Sequence, residues 1–107
     1  MDRKTFAESV KEAHELVQDI ITKKNADYSS YSNDALANAK SSLIFGIHPA
    51  TGIVLRTLDK LKRIQSFVVN GRLNVDNESA MDAVLDVIGY MSILYCILKE
   101  EGTDGQH

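Results

Sequence analysis

The stretch "AVLDVIGYMSILYCIL", residues 83–98, constrains this chain most. After Asp86 it is apolar at almost every position: Val87, Ile88, Tyr90, Met91, Ile93, Leu94, Tyr95, Ile97 and Leu98. A helix that is apolar on all sides must be covered on all sides. The rest of a 107-residue chain cannot easily supply that cover. The expectation is a homo-oligomer whose interface uses this helix. The alternative is a monomeric bundle with the helix at its centre. Asp86, Gly89 and Ser92 interrupt the run, which reads as too short and too polar to span a bilayer, so no membrane partner is expected.

The remaining periodicities are helical, and no strand pattern is present. The expected class is all-α, a four-helix bundle-like single domain over residues 1–107 with a polar, fraying tail at 102–107. Thr5 and Glu8 suggest a capping box for helix one. Its apolar line is Phe6, Val10, Ala13, Val17 and Ile20/Ile21, and Asn25 is the expected stop. "NADYSSYSND" reads as a loop. "DALANAKSSLIF" reads as a short second helix capped by Asn33 or Ser32, with Gly46 beyond its end. After "GIHPATG" comes "IVLRTLDKLKRIQSFVV", helix three, stopped by Asn70-Gly71. Its expected inward stripe is Val54, Leu58, Leu61, Gln65 and Val68, flanked by Leu55, Ile64 and Phe67. Helix four should run from about 77 to 100, capped by Asp76 or Asn77.

Charge narrows the function classes. The formal net charge is −3, which argues against a general DNA or RNA binder. A local basic pocket for a small phosphorylated ligand remains open. The lone Cys96 sits in an apolar run and reads as a small core residue of a cytoplasmic protein.

Two stripes carry the candidate chemistry. Arg56, Asp59, Lys60 and Arg63 share one face of helix three. Asp59 can pair locally with Arg56 and Arg63. On helix four, Glu78, Asp82 and Asp86 recur every four residues, and Gly89 continues their line. Asp86 lies inside "VLDVIGY", so its carboxylate needs a cation, hydrogen bonds or a metal. The short link "NGRLNVD" makes helices three and four antiparallel neighbours, so the cations of helix three are the available partners. Gly89 lowers helix propensity, which a close approach by backbone or ligand would explain. Either the two stripes neutralise each other, or the acids hold an ion or ligand hydroxyls while Arg and Lys receive phosphates. His14 reads as a core-edge histidine. His48, Thr51 and Gly52 stand at a helix N-terminus that either caps in the ordinary way or binds a phosphate. Tyr28 and Tyr31 either stack on a base or pack on the bundle.

Three separated elements then occur in order: Lys24, Asn25, Asp27 and Tyr28; Arg56, Asp59, Lys60 and Arg63; and Glu78, Ser79, Asp82, Asp86 and Tyr90. Together they resemble the phage and mobile-element family called nucleotide modification associated domain, first type. The resemblance covers roughly residues 20–100 and implies nucleotide handling by viruses in the cytoplasm of an infected bacterial host. A more distant similarity is to the all-α, MazG-like nucleoside triphosphate pyrophosphohydrolases, which bind Mg²⁺ through paired acidic motifs on facing helices. Here the candidate acids are Glu12 and Glu15 with Glu78, Asp82 and Asp86. The second set is spaced four apart rather than three, and a basic helix stands where those enzymes place acids. Glu8, Glu12, Glu15 and Asp19 read more simply as a solvated face.

The leading expectation is therefore a nucleotide-binding protein without a cofactor, a sponge for a cyclic or modified nucleotide immune signal. Its ligand residues would be Arg56, Lys60 and Arg63, held by Asp59, with Lys24, Asn25, Asp27 and Tyr28. The alternatives are a Mg²⁺-dependent nucleotide pyrophosphohydrolase using Glu78, Asp82 and Asp86, and an interaction module whose charges are only ion pairs.

Overall fold

Helix α1 spans Arg3–Tyr28, α2 Ala37–Lys40, α3 Pro49–Asn70 and α4 Ala80–Glu101 in the structure, a computed structural model. It describes residues 1–28, 33–71 and 79–102. Among the described residues there is no strand, and the class is all-α.

The helix ends follow from particular side chains. Asp2, not Thr5, opens α1: its Oδ1 accepts the Thr5 N–H at 2.7 Å. A carboxylate is favoured there by the orphan N–H groups and the helix dipole. Thr5 thus donates its backbone N–H, and the expected Thr5–Glu8 box does not form. Helix α1 passes the expected stop at Asn25 and continues to Tyr28. The second helical segment is short α followed by a 3-10 turn over Ser41–Phe45, closed by Gly46 at φ 71. The expected cap Asn33 does not cap α2: its N-cap is Leu36, with no side-chain bond there, and Asp34 Oδ1 accepts the Leu36 N–H at 2.9 Å in the turn before it, while Ser32 lies outside the described residues. Helix α3 begins at Pro49, inside the expected break, because His48 Nδ1 accepts the Ala50 N–H at 3.0 Å and Pro suits the first helical turn. It stops at Gly71, which takes φ 74. Ser79 caps α4 and Asp82 reciprocates in a capping box, while the expected caps Asp76 and Asn77 lie outside the described residues.

Helices α3 and α4 are antiparallel. His48 Nε2 meets Glu101 Oε1 at 2.7 Å at one end, and Lys60 Nζ meets Asp86 Oδ2 at 3.0 Å further along. Ile53 and Ile97 are buried together with Ala39, and Leu36, Ala50, Tyr90, Ile93 and Leu94 pack around them. Helix α4 is central: it packs on α3 along one side and on α1 along another. Val17 seats α1, with Ile20 and Ile21 half-buried, whereas Phe6 and Val10 stay exposed. Only the second half of α1 is anchored.

The inward stripe of α3 differs from expectation. Ile53 and Thr57 are buried, and Lys60 and Ile64 half-buried, on the side that meets α4. Val54, Leu55, Leu58, Leu61, Phe67 and Val68 are exposed. At about 100° per residue, the helix is turned roughly a quarter of a revolution from the expected orientation. The physical reason is Asp86: a carboxylate in the apolar stretch of α4 draws Lys60, and with it the charged flank of α3, toward the interior.

A polar clamp holds the other end of α4. Lys40 Nζ reaches Asp34 Oδ2 at 2.6 Å and Glu100 Oε1 at 2.7 Å. The Lys40 hydrogen bond, then the Leu36 N–H, lower the Asp34 pKa below 3.8. Asp34 and then Glu100 raise that of Lys40 above 10.5. The signs follow by linkage. A lowered carboxylate contributes stability above its unfolded value and loses it as pH falls through the folded one. A raised lysine contributes below its unfolded value and loses it as pH rises through the folded one. The stability deficit of Lys40→Met should therefore be constant between about pH 5 and pH 10 and shrink outside that window. Urea midpoints of variant and parent across pH check this.

By length and composition alone, α4 is long and apolar enough to cross a membrane, unlike the shorter run read from the sequence.

Candidate functional site

A cavity of about 620 Å³ opens between the C-terminal part of α1, α2, the start of α3 and the middle of α4. Its walls are apolar: Val17, Ile20 and Ile21 from α1, Leu36 and Ala39 beside α2, Ile53 from α3, Leu85 and Ile93 from α4. Polar groups enter from separate elements. Lys24 and Asn25 come from the last turns of α1, Asn38 from α2, Arg56 from α3, and Asp86, Tyr90, Ser92 and Cys96 from α4.

Local structure sets each of these groups. Asn25 Nδ2 donates to the Ala35 carbonyl, tying the end of α1 to the approach of α2. Ser92 Oγ donates to Ile88 O at 2.8 Å, within its own helix. Gly89 faces Ile21 and Val17 of α1, and the approach is not close enough to require a glycine. A Cβ at that position would stand 3.6 Å from Ile21 Cδ1 and 3.8 Å from Val17 Cγ1. Those are ordinary contact distances, so Gly89→Ala should fit without displacement. It should raise stability by about 0.5–1 kcal/mol through helix propensity, read as an increase in the urea midpoint.

The electrostatics are uneven. Asp86 is the carboxylate on the lining, and it is already paired with Lys60, whose side chain is only 16% exposed against 26% for Asp86. Arg56 and Lys24 are solvent-accessible at the lining. Among the described residues neither has a carboxylate within ion-pair distance. The cavity thus carries two cations with no carboxylate partner among the described residues, although the chain has a net charge of −3.

The structure gathers some candidates and separates others. Lys24, Asn25, Arg56, Asp86 and Tyr90, drawn from all three motif elements, line one cavity. Lys60 stands behind it as the partner of Asp86. Arg63 pairs with Asp59 at 3.3 Å and is not on the lining, so Asp59 holds Arg63 but not Arg56. Asp27 is exposed at the end of α1, off the lining. Tyr28 closes α1, and its side chain, like Tyr31 and Glu78, lies outside the described residues. Asp82 is committed to the α4 capping box. Glu8, Glu12, Glu15 and Asp19 are exposed, with Glu15 at 3.7 Å from Lys11 and Asp19 at 3.0 Å from Lys23. Among the described residues, no three His, Cys, Asp or Glu side chains are grouped to hold a metal ion.

His14 is exposed and bonds through Nδ1 to the Val10 carbonyl at 2.8 Å. His48 spends one ring nitrogen on Ala50 N–H and the other on Glu101, so it caps α3 and ties it to α4.

Cys96, expected in the core, is exposed and on the cavity wall. Asn38, Ser92 and Cys96 are lining residues that sequence reading missed. The signal was present: positions 85, 89, 92 and 96 recur at helical spacing and include the small residues Gly89, Ser92 and Cys96.

Comparison with family models, with curated proteins and with solved structures returned no match of any of the three kinds.

Proposed function

We propose that this chain binds a phosphorylated nucleotide in the cavity between α1, α3 and α4 and holds it without turnover. The observation behind this reading is that Arg56 and Lys24 line an apolar cavity with no carboxylate partner among the described residues, while Asp86 on the same lining is paired with Lys60. A volume of about 620 Å³ suits a small organic ligand, since such sites run to roughly 300–1,000 Å³ with few polar groups. The phosphate would sit between Arg56 and Lys24, where a planar guanidinium offers paired donors. The base would lie against Ile21, Ile93 and the ring of Tyr90, a sequence-tolerant apolar contact. Asn25 and Asn38 offer directional bonds for its polar edge.

The resemblance to the phage family gives the ligand class its concrete form: a cyclic or modified nucleotide used as an immune signal, sequestered in the cytoplasm of an infected bacterium.

The test is capture and release. The protein is incubated with nucleoside triphosphates and cyclic oligonucleotides plus Mg²⁺, filtered, then denatured and chromatographed. Loss of a nucleotide from the filtrate, with the same nucleotide recovered intact after denaturation, is the expected result. Recovery of a converted nucleotide would establish the pyrophosphohydrolase reading instead. No loss of any nucleotide would overturn the nucleotide-binding reading in favour of an interaction module.

A further inference from the structure

We infer that α3 and α4 together form a docking face for a second copy of this chain, on the side away from α1 and the cavity. The face is built from two seams. On α3, positions 54, 58, 61, 65 and 68 recur at intervals of four and three. Val54, Leu58, Leu61 and Val68 among them are all exposed. On α4, positions 81, 84, 88, 91 and 95 recur at intervals of three and four. Met81, Val84, Met91 and Tyr95 are exposed, and Ile88 is half-buried. Alternating three- and four-residue steps place apolar groups along one line that a facing helix can fill.

Both seams lie on one side of the layer. At 100° per residue, the α3 seam is centred about a quarter turn from the Ile53–Thr57–Ile64 line that meets α4, and Arg56 lies on the opposite flank. The α4 seam is likewise about a third of a turn from Ala83 and Ile97, with the cavity-lining Leu85 and Gly89 on the other side. Because the helices are antiparallel, these opposite rotations bring the two seams to the same face and the cavity to the other.

A second copy is the occupant that fits. The seams run along helices of 22 residues each. A two-helix layer of that length is about 33 Å by 20 Å, roughly 650 Å² in projection. That is the order of the ~800 Å² per partner that a stable interface buries. Two such layers related by a two-fold axis complete a four-helix bundle, with each seam facing a seam of equal length. The described core alone is small: Val17, Ala39, Ile53, Ala83 and Ile97 are its buried hydrophobic side chains. A bilayer is a poorer fit. Asp59, Lys60, Lys62 and Arg63 prevent α3 from inserting with α4, and a net charge of −3 disfavours an anionic lipid surface. The assembly leaves a cavity open on each outer side.

The test is the mass of the full chain in solution by light scattering at about 50 µM, beside Leu58→Glu and Met91→Glu variants. The wild type should have twice the 11.9 kDa chain mass, and each variant the single mass. Should the variants fail to fold, the wild-type thermal midpoint decides, because dimer stability rises with protein concentration. A midpoint that climbs over a hundredfold concentration range supports the proposal, and a constant one overturns it. It is also overturned by a wild type of single mass, by variants that keep the double mass, or by cosedimentation of the wild type with phosphatidylcholine vesicles.

Discussion

Arg56→Ala should lower affinity for the captured nucleotide about 100-fold while leaving stability within about 0.5 kcal/mol of the parent. Arg56 lines the cavity, and among the described residues no carboxylate pairs with it. Removing it strands no buried charge, so the folded state loses little. A bound phosphate would lose a charge-assisted, two-pronged donor in an apolar setting, about 2.8 kcal/mol of binding at 1.4 kcal/mol per tenfold change. Arg63→Ala is the control. Arg63 pairs with Asp59 outside the lining, so its loss should change affinity less than about 3-fold. Equilibrium dialysis with urea unfolding of the same samples checks both quantities. Equal losses for the two variants would place the phosphate elsewhere on α3.

The second large effect is structural. Lys60→Met should cost about 2 kcal/mol of stability, read from the urea midpoint at neutral pH. Breaking a fully buried pair costs roughly 3–5 kcal/mol, and the partial exposure of Lys60 and Asp86 reduces that. The cost arises because Asp86 is left in an apolar stretch without its cation. Lys60→Met combined with Asp86→Leu should therefore recover most of the loss, since apolar replacement of both partners removes the stranded charge. If the double variant is as unstable as the sum of the singles, the pair is not what Lys60 contributes.

Much of the fold was legible in the sequence, for local reasons. Helical periodicity and the terminators Gly46 and Gly71 depend on neighbours a few residues away. The antiparallel placement of α3 and α4 followed from their short link, and the need of Asp86 for a cation followed from its apolar surroundings. The orientation of α3 was not legible. That helix carries two apolar lines, one through Ile53 and Ile64 and one through Val54, Leu58 and Leu61. Periodicity cannot say which faces the chain's own core, and by width alone the second line is the expected inward one. The Lys60–Asp86 pair, a contact between distant positions, reverses that choice. The same limit applies to the caps. Thr5 and Glu8 match a capping pattern, yet Asp2 competes for the same backbone donor and holds it.

At the site, the three motif elements were visible as residue types, but their meeting place was not. Lys24, Arg56 and Asp86 converge because α1 packs on α4 beside α3, a tertiary arrangement that local pattern does not specify. Arg63 looked equivalent to Arg56 in sequence, since seven residues bring them to one helical face. Two turns of helix separate them along the axis, by about 10 Å, and that distance takes Arg63 off the cavity.

The most direct measurement is equilibrium dialysis of the wild-type chain against matched pairs of nucleotide and nucleoside, at low and moderate salt. Retention of a nucleotide, loss of retention for its dephosphorylated partner, and weakening with salt are the expected results, because Arg56 and Lys24 act on the phosphate. Equal retention of nucleotide and nucleoside, or retention of neither, would contradict a phosphate site in this cavity.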